Sequence, residues 1–227
     1  MLRGIFKLRP PVAKYTVIWD VNVVLTYLHA MTVETFQDKL LKLTVLLMLL
    51  SGNRVNMLSH FRIRNMYISK TEVTFVFDES LKTTNPKLNV KPMVFRAFPD
   101  IPGLCPVNAI WDYLDERNIR SSSEAFFVVQ VKPWGEASPN TIARWIKTVL
   151  HFAGIDSGRY TAHSCRAAVT SAAAFAGISI DTIMKSASWA NVTTFKKHYF
   201  KEISSHYTLQ SENFGEEILT RYDKGQL

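Results

Sequence analysis

The chain has 227 residues, 47% of them hydrophobic, which is enough apolar content for one sizeable core and too much for a disordered tail. Lysine plus arginine number 27 against 19 aspartate plus glutamate, a net charge of +8; that suits a polyanionic partner without specifying one. With only Cys105 and Cys165 the chain cannot be a disulfide-built scaffold, and two free thiols in an intracellular compartment are expected.

Residues 1–14 read as a basic linker: Arg3, Lys7, Arg9 and Lys14 precede the first acid, Asp20, and Pro10-Pro11 opposes the continuous amphipathic helix of a transit peptide. Helical periodicity covers Asp20 to His29 and Thr32 to Leu50, the second with Thr32 as its expected cap and Glu34 in its first turn. Its apolar run from Leu43 to Leu50 falls well short of the roughly 20 residues that span a bilayer. A buried core helix is predicted, and no membrane partner. The Ser51-Gly52-Asn53 turn then presents Arg54.

Phe61 to Ile68, Thr71 to Phe77 and Lys91 to Phe98 alternate apolar and polar residues, which predicts three short antiparallel strands. Lys82 and, five residues later, Lys87 fall in the loop between the second and third. Pro106 at a first turn opens a helix through Trp111 and Leu114 to Arg117, followed by a Ser121 to Ser123 loop. Ala125 to Val131 is an apolar run too short to assign, and Lys132-Pro133-Trp134-Gly135 is a turn. The segment SPNTIARWIKTVLHFAG predicts a capped helix with Ile142, Trp145, Ile146 and Leu150 on one side. Asn140, Arg144 and Lys147 fall on the other, where they are candidates for DNA contact or an ordinary solvated face. The expected fold class is therefore α+β, mainly helical with a small three-stranded antiparallel sheet.

The stretch from His163 to Tyr199 carries the chemistry. Alanine-rich AHSCRAAVTSAAAFAG favours helix, so His163 and Arg166, three apart, leave it one turn apart on one face. A second short helix follows Gly177, with Asp181 as its expected cap, then Trp189, and ten residues later Tyr199 beside Lys196, Lys197 and His198. Taking the proton of a phenol at pH 7 costs about 4 kcal/mol, which neighbouring cations and a base can offset. Beyond it lie Tyr207, a rival nucleophile two helical turns on, and apolar residues at helical spacing from Phe214 to Tyr222.

The order arginine, lysine, His-x-x-Arg, histidine or tryptophan, tyrosine resembles the tyrosine recombinase (phage integrase) family, with Arg54, Lys82, His163, Arg166, Trp189 and Tyr199 as the set. The wording RGIFKLRPP, YTVIWDV, LCPVNAIWDYL and SPNTIARWIK is similar to the eukaryotic recombinases of Crypton and DIRS-type mobile elements, and the resemblance runs from Arg3 to about Ile218. It implies a catalytic domain at 15–209 and a tail at 210–227 that packs on a neighbouring subunit, which the sequence does not distinguish from a helix folded back on its own domain. It also implies double-stranded DNA as partner, a homo-oligomer on that DNA, and nuclear action. Relatives carry a DNA-gripping domain upstream, and the expectation here is the catalytic half without it. They often have an acid three residues after the first arginine, where this chain has Met57.

By the same resemblance Arg54 and Arg166 would clamp the scissile phosphate, Tyr199 would attack it, and Lys82, or alternatively Lys87, would protonate the departing 5′ oxygen. His163 would act as base or hydrogen-bond the phosphate. Trp189 can donate one hydrogen bond and pack, but cannot be a base. No acidic cluster has magnesium spacing and no His/Cys pattern has zinc spacing, so neither metal nor other cofactor is expected. Two other functions are compatible with these residues: a DNA-binding protein descended from a recombinase, and a type IB topoisomerase-like relaxing enzyme.

Overall fold

The computed structural model describes residues 14–77, 91–187 and 192–204. Helix α1 (Val21–Ala30) follows the periodicity predicted from Asp20 to His29 and starts where Asp20 accepts a hydrogen bond from Asn22 N. Helix α2 (Phe36–Ser51) is the centre of the core: Leu43, Val45, Leu46, Leu47 and Leu49 are wholly buried, because between Leu40 and Leu50 only Lys42 and Thr44 are not apolar. Thr44 meets its one polar obligation inside the helix, donating to Leu40 O at 2.6 Å. The cap is Thr35 rather than Thr32. Thr35 Oγ1 accepts from Asp38 N while Asp38 Oδ2 accepts from Thr35 N at 2.9 Å, a reciprocal box that only the Thr35/Asp38 spacing can close.

Around α2 pack α4 (Pro106–Arg120), α5 (Pro139–Phe152) and α6 (Ser164–Phe175). Helix α4 runs one turn past its predicted end at Arg117. There the buried Arg117 guanidinium donates to the carbonyls of Ser121, Ser123 and Ala125 and so anchors the following loop. Helix α5 is capped by Ser138 as predicted, and it buries Ile142, Trp145, Ile146 and Leu150 while Asn140, Arg144 and Lys147 are exposed. The short α3 (Val55–Leu58), α7 (Ile180–Ser186) and α8 (Val192–His198) complete the helical part. Asp181 does not cap α7. Ser179 does, accepting from Thr182 N at 3.2 Å, and Asp181 sits in the first turn, where its charge still complements the helix dipole.

The three-stranded sheet is antiparallel in the order β2 (Met66–Ile68), β3 (Glu72–Phe75), β4 (Met93–Arg96). Its first strand is shorter than the alternation from Phe61 predicts, because Ile63–Asn65 tightens into a 3-10 turn. The segment before that turn pairs instead with the apolar run, through Ile63 N to Glu124 O and Phe126 N to Phe61 O at 2.9 Å each. Phe61 and Phe75 stack at 4.0 Å between centroids, with Phe126 edge-on. A second, parallel pair joins β1 (Val17–Ile18) to β5 (Glu202–Ile203). It ties the start of the fold to the segment just after Tyr199. Among the described residues no helix is long and apolar enough to cross a membrane.

Candidate functional site

The site is built on three elements: the turn after α2, the first turns of α6, and the end of α8. Helix α2 stops at Gly52, whose φ of 56° is in the left-handed region that favours glycine. The turn is locked by Asn53, which is 2% exposed and donates from Nδ2 to Ser51 O at 3.3 Å and to Ser186 O of α7 at 3.2 Å. Arg54 comes next, exposed, with a side chain not engaged in capping α3. Met57, where relatives often have an acid, is half-buried and packs on the core. Asn53→Ala removes both anchoring bonds at a buried position, and a loss of about 1–3 kcal/mol in urea unfolding is expected.

Helix α6 holds the second arginine. Its N-terminus is fixed by Trp19 Nε1 donating to Ser164 Oγ at 2.8 Å. His163 occupies the N-cap position, exposed, and Arg166 lies one turn on with only 3% of its surface exposed. The Arg166 guanidinium donates from Nη1 to Gly52 O at 3.1 Å and lies 5.6 Å from the centroid of the Tyr199 ring. Burial, and after it the like charge of Arg54, lower its pKa to about 9, with Tyr199 opposing. It is still a cation at neutral pH. With the exposed Arg54 near enough to act on the buried Arg166, the two guanidiniums form a place suited to an anion.

Tyr199 follows the last turn of α8, half-buried, its N–H donating to Phe195 O at 2.9 Å. Ser171 of α6 donates to Tyr199 O and accepts from Lys201 N, both at 2.9 Å. Lys201, whose amine is depressed by burial, donates to Lys197 O at 3.1 Å. Thus Arg54, Arg166 and Tyr199 come together, and His163 stands at the head of the helix that carries Arg166. Lys82, Lys87, Trp189 and Tyr207 lie outside the described residues, as do most of the predicted linker and all of the predicted tail. Asn140, Arg144 and Lys147 share the exposed side of α5. Among the described residues no three His, Cys, Asp or Glu side chains are grouped to hold a metal ion.

Both cysteines are buried free thiols. Complete burial pushes the Cys165 thiol up to about 12, so no thiolate is available at pH 8. Iodoacetamide at that pH should leave Cys165 unmodified in the folded protein and alkylate it after denaturation, read by intact mass.

Sequence reasoning missed Gly52 O, Asn53 and Ser171 as parts of the site. The glycine turn was visible as Ser51-Gly52-Asn53, but nothing local marks Ser171, whose partners are about thirty residues away along the chain.

Residues 20–206 match the model of the phage integrase family. No curated protein sequence is significantly similar to this chain. Among solved structures, similar ones are the XerH site-specific recombinase bound to palindromic difH substrate, in a post-cleavage complex (TM-score 0.60, 12% identity, 79% of this chain and 48% of that one), and XerA recombinase (0.58, 20%, 86% and 62%). The Tn1549 transposon integrase in complex with transposon right end DNA is a third (0.60, 10%, 96% and 69%). The chain spans about half the length of the XerH recombinase it matches. At these identities the structures speak to the fold, which is that of a tyrosine recombinase catalytic domain. Extending over most of the chain and over all three elements of the site, the family match shows that this protein belongs to the phage integrase family, the tyrosine recombinases.

Proposed function

We propose that this protein is a site-specific DNA recombinase or integrase of a mobile element, of the Crypton/DIRS kind its sequence resembles, acting through a 3′-phosphotyrosine intermediate. The observation that carries this is the Arg54, Arg166 and Tyr199 grouping, with a buried cation 5.6 Å from the ring of the proposed nucleophile. A DNA phosphodiester resists attack because it is already anionic, and its transition state gathers charge on the nonbridging oxygens. Two guanidiniums neutralise that charge without a metal.

Tyr199 Oη attacks the phosphorus in line, forming a P–O bond as the bond to the 5′ oxygen breaks. The phenolic proton leaves to His163 or to water, and Lys82 or Lys87 supplies the proton that the 5′ oxygen takes up. One phosphodiester has replaced another. A 5′ hydroxyl from a second DNA end therefore reverses the step without ATP and completes strand exchange. By the family resemblance Trp189, with one N–H to donate, would help position the phosphate. Asn140, Arg144 and Lys147 follow the duplex backbone.

In this reading residues 15–209 are the catalytic domain, 1–14 a basic linker, and 210–227 a tail that packs between protomers of a homo-oligomer assembled on double-stranded DNA in the nucleus. The solved relatives that are DNA complexes support the DNA partner, and a lambda integrase dimer bound to a COC′ core site supports the oligomer. The test is an exchange assay in EDTA on duplexes and supercoiled plasmids carrying the DNA that flanks the protein's own coding sequence. Recombinant junctions are expected. Relaxation of any plasmid without site preference would replace this function with a topoisomerase, and stable binding with neither product would replace it with a DNA-binding role.

A further inference from the structure

Ser171 is wholly buried, five residues beyond Arg166 on α6. Its single hydroxyl serves two backbone groups that neither α8 nor β5 can satisfy. Tyr199 O is a carbonyl at the C-terminal end of a helix, where no further N–H follows in register. Lys201 N lies just before β5, whose pairing with β1 begins at Glu202. The hydroxyl donates to the first and accepts from the second, each at 2.9 Å. On the same helix Thr170 Oγ1 donates to Arg166 O at 2.7 Å. The peptide unit of the tyrosine is therefore joined directly to the helix that holds the phosphate-binding arginine.

Resting on the function proposed above, we infer that Ser171 is a positioning residue that sets Tyr199 against Arg166 for in-line attack. Tyr199 packs half-buried on the core, the exposed Phe200 ring lies against Phe175 and Phe195, and Tyr199 N and Phe200 N both donate to Phe195 O. Those bonds tie the segment to its own helix, the Lys201 amine adds one to Lys197 O, and the Ser171 pair of hydrogen bonds joins it to the helix of Arg166. Losing the hydroxyl leaves two polar backbone groups in search of water, and the tyrosine shifts to let water reach them. A displacement of about 1 Å at a reacting atom costs on the order of 100-fold in rate, while a duplex bound through phosphates elsewhere notices nothing.

The experiment compares parent, Ser171→Ala and Ser171→Thr on nicked duplexes from the flanking DNA, with single-turnover adduct formation at saturating protein, DNA affinity and thermal melting measured for each. Ser171→Ala is expected to slow adduct formation by on the order of 10-fold or more at unchanged DNA affinity, and Ser171→Thr, which keeps the hydroxyl, to recover most of the rate. Ser171→Cys keeps the volume and weakens both bonds, so it gives the same answer should the alanine variant melt below the assay temperature. An alanine or cysteine variant as fast as the parent overturns the inference. So does a loss of rate, affinity and melting temperature together that threonine does not recover, since that is a purely structural role. A parent that forms no adduct overturns the proposed function itself, and the inference with it.

Discussion

Tyr199→Phe should abolish covalent capture of DNA, lowering it by on the order of 10⁴-fold or more, because it removes the oxygen proposed to attack the phosphate. The fold should hardly register the change. The ring stays half-buried against the core and 5.6 Å from Arg166, and the backbone anchors at Phe195 O and Ser171 Oγ do not involve the phenol. A stability change of about 1 kcal/mol or less is expected, with DNA affinity preserved, read by melting and by fluorescence anisotropy. A variant that loses binding along with capture would mean that Tyr199 holds the duplex rather than attacks it.

Arg166→Met should separate stability from chemistry in the opposite sense. Capture should fall by on the order of 10³-fold, the scale of losing a guanidinium that stabilises a transferring phosphoryl group. Yet the DNA-free protein should be no less stable than the parent. The folded-state pKa of Arg166 lies below its ordinary value, so the folded state binds this proton less tightly than the unfolded chain does. The penalty for keeping it charged is fully present at pH 7 and is relieved only as pH rises through about 9 toward the ordinary arginine value. Methionine removes that penalty and fills much of the space, which offsets the loss of the bond to Gly52 O and of the contact with the Tyr199 ring. Sulfate should raise the melting temperature of the parent more than that of the variant. A variant melting well below the parent at pH 7 would show that Arg166 is chiefly a structural strut.

Much of the helical framework is legible in the amino-acid sequence. Asp20, Ser138 and Pro106 mark helix starts because each solves a local problem at a helix N-terminus, and the three strands follow from alternation. Where more than one capping side chain lies near a helix start, the deciding interaction lies further on. Thr35 wins over Thr32 through Asp38, and Ser179 wins over Asp181 because its oxygen reaches Thr182 N. The parallel pair of Val17–Ile18 with Glu202–Ile203 is not legible at all. Two-residue strands at opposite ends of the fold leave no periodicity. Within the candidate site, Arg54, His163, Arg166 and Tyr199 are readable through the resemblance of their order to the tyrosine recombinase family. The groups that hold them, Gly52 O, Asn53 and Ser171, are backbone carbonyls and small polar residues whose meaning emerges only once distant segments meet.

The most direct test of the central claim is to map the protein–DNA link. The parent protein is incubated in EDTA with nicked duplexes from the flanking DNA, the denatured adduct is digested with trypsin and nuclease, and the nucleotide-bearing peptide is sequenced by mass spectrometry. The account predicts a 3′-linked nucleotide on Tyr199. A nucleotide on Tyr207 or any other side chain, or duplex that is bound but never linked, would contradict it.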